Sequence, residues 1–287
     1  MAASRRGLAV KRAEVSDRDA IMDFLLERPS IAMFPICNLR DHGMEGGHGR
    51  AMTFWLARDG DKVTDVLGMT DGGFVMPVFG SVDMPDVKPA LRARAVAGIV
   101  GQAAPVAAIR EMMHMPRGGL DRAEPHLELA LSDLELPDTS GLTLTAITPD
   151  LRNIVIAWRT AYGQEALHLS PAAAADQAVV AVDAMIAQDS HRVLMQNGQP
   201  VSMTGFNARL PETVMIGGVY TPQALRGHGF ARAALGLHLA QAQAQGVTRA
   251  VLSAASTTAA KVYHSLGFRQ IGEFMIIAYD TPQVAHG

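Results

Sequence analysis

The 287-residue chain has little of what usually announces a function. It has one cysteine, Cys37, so no internal disulfide framework is available and a reducing, cytoplasmic setting is expected. It has no excess of charge: 25 Lys and Arg stand against 28 Asp and Glu, a net of −3, which argues against a dedicated nucleic-acid binder. It has no apolar run long enough to span a bilayer. The most apolar stretch, 95–109, is Ala-rich, contains Gln102 and Pro105, and reads as a core helix ending near Pro105. Basic residues near the N-terminus are followed by no long apolar stretch, so no signal peptide is expected.

What is present is a globular composition. Hydrophobic residues make up 48% and charged residues 18%, which excludes a disordered or collagen-like chain. At roughly 150 residues per domain, the length predicts two domains.

The first region, residues 1–137, reads as strand, helices, several strands, helix, strand. Val10–Ala13 opens as a strand, and Ser16 caps a helix through Leu26. A helix-like stretch over 36–40 leads into the Gly-rich loop 43–49. Residues 54–57 and 63–67 pair across a turn. The strand over 73–79 is placed at an edge because of Pro77. A helix is expected over 87–100, and a strand over 127–131. Pro, Asp, Ser and Gly between Glu135 and Gly141 mark a linker.

The second region, 142–287, repeats that order. Residues 142–146 form a strand. Thr148-Pro149 starts a helix presenting Leu151, Ile154, Val155 and Trp158, and Ser170-Pro171 starts a second. Asn197-Gly198 between apolar runs signals a hairpin. The strand 213–220 contains Gly217-Gly218, the mark of a bulge or close backbone approach. The two regions thus read as one α/β fold written twice.

Chemistry concentrates after that strand, in Arg226-Gly-His-Gly-Phe-Ala231. A strand-to-helix turn leaves free amides at the helix start, where an anion is favoured. Gly227 and Gly229 let a ligand approach the backbone, and Arg226 adds positive charge. The Lys-Ser/Thr ending of a Walker loop is missing, and Arg232 stands where a dinucleotide fingerprint needs a small residue. Downstream come Ser256, Ala259, Tyr263, Gly267 and Phe268.

Arg226, Gly229 and Ala231 resemble the Arg-x-x-Gly-x-Ala pyrophosphate loop of the GNAT acyltransferases. Ala259, Tyr263, Gly267 and Phe268 resemble their downstream motif, with Ser256 where Asn is usual. The resemblance covers about 142–280. It implies two tandem GNAT-like domains, each a mixed, mostly antiparallel twisted sheet flanked by helices. The first looks like a degenerate copy without a CoA loop around 82–91.

The resemblance also implies transfer of an acetyl or other acyl group from acetyl-CoA, as co-substrate, to a small-molecule or peptide amine. Val219, Tyr220, Thr221, Arg226, Gly227, His228, Gly229, Phe230, Ala231, Ser256 and Ala259 are then the cofactor-binding positions. Tyr263 is the proton donor to the departing thiolate and Glu212 the weaker candidate base, with His168 and His191 as further bases. Arg159 and Tyr162 are acceptor-pocket candidates. Ser256 also reads as a helix cap. Neither metal, membrane nor nucleic acid is expected, and the chain would be a pseudo-dimeric monomer or a homodimer. Two rivals remain: a non-catalytic acyl-CoA sensor, and a nucleotide- or phosphosugar-binding enzyme.

Other features take blander readings. Asp41, His42, Glu45 and His48 have metal-ligand types but no matching spacing. Cys37, Trp55 and Trp158 read as core.

Overall fold

The computed structural model describes residues 9–44 and 46–286. Glu45 therefore lies outside the described residues. Two compact units emerge: residues 1–124 with 272–287, and residues 125–271.

The first unit contains β1 (Lys11–Arg12), α1 (Arg18–Leu26), α2 (Pro29–His42), β2 (Met52–Asp59), β3 (Lys62–Thr70) and β4 (Phe74–Phe79). These are followed by α3 (Lys88–Leu91), β5 (Ala95–Gln102), α4 (Ala103–Met112) and the start of β6 (Leu120–Ala130). The second contains the rest of β6, then β7 (Leu142–Ala146), α5 (Pro149–Leu167), α6 (Pro171–Ala187), β8 (His191–Gln196), β9 (Gln199–Arg209) and β10 (Thr213–Tyr220). After β10 come α7 (Phe230–Ala244), β11 (Arg249–Ser253), α8 (Thr257–His264) and the start of β12 (Arg269–Val284).

The strand order is β1-β2-β3-β4-β5-β12 in the first unit and β7-β8-β9-β10-β11-β6 in the second. Each is a mixed sheet with one parallel pair, β4–β5 and β10–β11, among antiparallel neighbours. Read from β1 and from β7, both units run strand, two helices, three strands, helix, strand, helix. The duplication predicted from the sequence is therefore present at the level of topology.

The closing strand is where the simple division at 137–142 needs correction. Beside β5 lies β12, with Met275 opposite Gly101 and Ile277 opposite Ile99. Beside β11 lies β6, with Leu127 opposite Leu252 and Leu129 opposite Ala250. Each unit is closed by a strand from the other half of the sequence. Burial fixes this: Met275 and Ile277 pack with Trp55, Leu67 and Ile99. Leu127 and Leu129 pack with Val214, Leu235, Leu239 and Phe268. Each apolar side chain so enclosed is worth roughly 1.5–3 kcal/mol.

Three local expectations also change. The segment read as a helix over 87–100, or as a core helix over 95–109, is a single turn, a strand and then α4. A fully buried strand is an unbroken apolar run, which periodicity cannot tell from a helix. Pro77 lies in an inner strand, not at an edge: β4 pairs with β3 over Val75–Phe79, but its partners on β5 stop at Val75. A missing N–H is tolerated beyond that point. Ser16 lies in a short 3₁₀ turn, and Asp17 is the N-cap of α1. The other punctuation holds: Asn197 and Gly198 both have positive φ in the β8–β9 turn, and Ser170 Oγ accepts the Ala173 amide.

Candidate active site at the end of the bulged strand

β10 is held by β11 over Thr213–Met215 and then continues without further partners on that side. On its other side the register with β9 jumps from Gly217↔Gly205 to Tyr220↔Met203, so Gly218 and Val219 stand opposite Thr204 alone. This is a bulge, and it turns backbone groups out of the ladder. Gly218 has φ +65°, and a Cβ there would sit 2.7 Å from His191 Nε2, so the position needs glycine twice over. Ser202 on β9 secures the strand end. Its hydroxyl donates to the Tyr220 carbonyl at 3.0 Å and lies 2.9 Å from the Thr221 hydroxyl.

The turn after β10 leads to Gly229, which takes the left-handed conformation as N-cap of α7 without any side-chain cap. The first-turn amides of α7 thus point outward with the positive end of the helix dipole behind them. Gly227 and Gly229, at φ +86° and +79°, have open space where a Cβ would be. Phe230 anchors the turn in a core with Leu194, Val201 and Ala234, while His228 is exposed and Ala231 partly so. These donors and this clearance suit a pyrophosphate.

Arg226 is bound differently from the sequence expectation. Its Nε donates to the Thr221 carbonyl at 3.0 Å and its Nη2 to Glu165 at 2.5 Å. Glu165 also accepts the Tyr220 hydroxyl at 3.0 Å. The Arg226 bond holds the Glu165 carboxyl below its ordinary range, and burial pushes the Tyr220 phenol up. Arg226 therefore ties the turn to α5, and much of its charge is matched by Glu165.

Behind the bulge is a cavity of about 140 Å³, lined by Arg159, Tyr162, Leu167, Met185, His191, Asn207 and Gly218. Arg159 lies 4.9 Å over the Tyr162 ring, and its Nε and Nη1 are buried without a hydrogen bond. His191 has Ser190 Oγ 2.9 Å from Nδ1, while Nε2 is buried and unpartnered. Burial, then the nearby Arg159 and Arg192, bring its pKa down to about 4, so it is neutral at physiological pH.

Several of the motif residues share this unit's core. Tyr263 and Val219 pack on the same apolar cluster, with the Tyr263 ring edge-on to Phe268 at 6.0 Å between centroids. Ser256 caps α8 by accepting the Ala259 amide at 3.1 Å, which commits both groups to the helix start.

Glu212 is a correction. It is exposed at the opposite end of β10, where its carbonyl accepts from the Thr248 and Arg249 amides. At ~3.3 Å per residue it stands roughly 25 Å along the strand from Tyr220, too far for a base acting there. His168 is likewise exposed, in the left-handed C-cap of α5. Of the three candidate bases, only His191 reaches the bulge. Glu165 and Asn207 were not signalled by sequence. The expected helix face stopped at Trp158, whereas α5 continues for more than two turns to Leu167.

The site is thus a bulged strand leading to a helix start without a side-chain cap, in a mixed sheet flanked by helices. Residues 155–268 match the model of the acetyltransferase (GNAT) family. No curated protein matches the chain. Among solved structures, it is similar to a tandem GNAT protein from the clavulanic acid biosynthesis pathway. That match has 16% identity and a TM-score of 0.55, and covers 94% of this chain and 98% of that one. It is also similar to a GCN5-related N-acetyltransferase from Sphaerobacter thermophilus (15%, 0.57, 93% of each). A third likeness is a GNAT-family acetyltransferase from Colwellia psychrerythraea (12%, 0.53, 95% and 100%). At these identities the likeness is one of fold, and it extends over both units.

Proposed function

We propose that the second unit transfers an acetyl or similar acyl group from acyl-CoA to an amine. The observation that carries this reading is the bulge at Gly217–Tyr220 leading directly into the uncapped start of α7 at Gly229. Acetyl-CoA would supply the activated acyl group as a thioester. The amides at 227–231 bind its pyrophosphate, and the backbone at Val219 polarises the thioester carbonyl, an interaction commonly worth about 3 kcal/mol. The amine nitrogen bonds to the carbonyl carbon, the C–S bond breaks, and its electron pair leaves on sulfur. Tyr263 gives its hydroxyl proton to that sulfur and is reprotonated from solvent, which also takes the surplus amine proton.

The first unit lacks the corresponding device. Its β4–β5 connection carries only the four-residue α3, and the Asp86 carboxylate accepts the Lys88 amide there at 3.0 Å. We read it as a degenerate copy that does not bind CoA.

Calorimetric titration with acetyl-CoA, then thiol release with a panel of amines, tests the reading. Saturable binding and amine-dependent release are expected, and Tyr263→Phe should lower kcat by about 10²-fold with acetyl-CoA affinity unchanged. Binding without turnover on any amine would overturn the transferase reading. An unaltered kcat in the Tyr263 variant would remove that residue's role.

A further inference from the structure

The cavity behind the bulge contains a cation, Arg159, with no carboxylate partner among the described residues. Arg159 is largely enclosed, and burial lowers its pKa with only the Tyr162 ring opposing. A buried guanidinium left unpaired is costly, and native structures rarely leave such groups unsatisfied without a reason. The other cation nearby, Arg192, is already paired with Asp189 at 2.7 Å. His191, 4% exposed, adds an unpartnered Nε2 to the same wall. Asn207 is exposed, so the cavity has a side toward solvent.

From these contacts we infer that the acceptor amine also carries a carboxylate, which pairs with Arg159 inside this cavity while His191 Nε2 meets its polar edge. This rests on the transferase reading and names its substrate class: small amino acids and similar aminocarboxylates. A guanidinium fork matches a planar carboxylate with two parallel hydrogen bonds. A single unpaired cation balances a single negative charge, whereas a phosphate dianion would ask for more. A volume of about 140 Å³ suits a compact molecule, since a cavity of ~150 Å³ takes a benzene ring. Gly218 lines this cavity, which places the acceptor beside the backbone that would hold the thioester.

The full chain is titrated with propionate and with propionamide, without acyl-CoA. Acetyl-CoA consumption is then compared for glycine against glycinamide and for β-alanine against β-alaninamide. Propionate alone should bind. The acids should exceed their amides by about tenfold or more in kcat/KM, because a site built for a charged group rejects an analogue lacking it. Arg159→Met should raise the acid's KM by about 30-fold or more and leave the acetyl-CoA KM within about twofold, with Arg159→Lys recovering part of the loss. Circular dichroism verifies folding of both variants. Amides used as well as acids, or propionate binding that survives Arg159→Met, would overturn the inference. Arg159-dependent propionate binding without any acyl transfer would uphold the anion site and overturn only the transferase reading.

Discussion

Two buried histidines give the second unit a definite response to acid. His191 stands against Gly205 and Gly218, and His238 stacks on Phe206 at 3.9 Å. Burial, as the leading cause, brings their pKa values down to about 4 and about 3. The unfolded chain protonates them near ~6.5, so it binds more protons than the folded chain between that pH and the lowered values. Stability is complete above pH ~6.5 and falls as pH drops through this window. At pH 5 each histidine should cost about 2 kcal/mol relative to pH 7.5. Urea midpoints at the two pH values measure this, and His191→Gln should shrink the difference by about that amount. An unchanged difference would show that His191 is protonated as readily folded as unfolded. Neither histidine could be recognised as buried from its sequence neighbours, because what encloses His191 is glycine on two other strands.

At the level of the element, the turn 226–231 was legible because its requirements are local. Two glycines with positive φ, a strand before and an amphipathic helix after are sequence properties. Gly229→Leu should place a side chain at φ +79°, at a cost of roughly 1–2 kcal/mol, and fill the space where a phosphate would lie. Acetyl-CoA affinity should drop by about tenfold or more, with the circular dichroism spectrum retained. Wild-type affinity in this variant would remove the turn from the binding site. The role of Arg226 was not legible, because its partner Glu165 is 61 residues away on a helix whose last turn the apolar pattern does not mark. Glu212 failed for the converse reason: closeness in sequence to β10 says nothing about which end of the strand carries the site. The register with β9 and β11 decides that.

For the molecule as a whole, the pairing of closing strands predicts how the chain can be divided. Residues 125–271 expressed alone keep β6 beside β11 and should melt cooperatively. Residues 142–287 alone lack β6, leave Leu252 and Phe268 without Leu127 and Leu129, and should be aggregation-prone or molten. Thermal melts with near-ultraviolet dichroism distinguish the two, and equal cooperativity would refute the exchanged-strand division.

The sequence by itself determined most of the element types, the internal duplication, the bulge and the glycine-rich turn after β10. All of these follow from short-range glycine, proline and apolar patterning. Tertiary structure alone decided which strand closes each sheet, since both β6 and β12 carry apolar residues and packing selects their neighbours. It also decided that Arg226 braces the turn and that Arg159 and His191 line one cavity behind the bulge. Burial and unmet hydrogen-bonding capacity arise between residues far apart in the chain, so no local pattern records them.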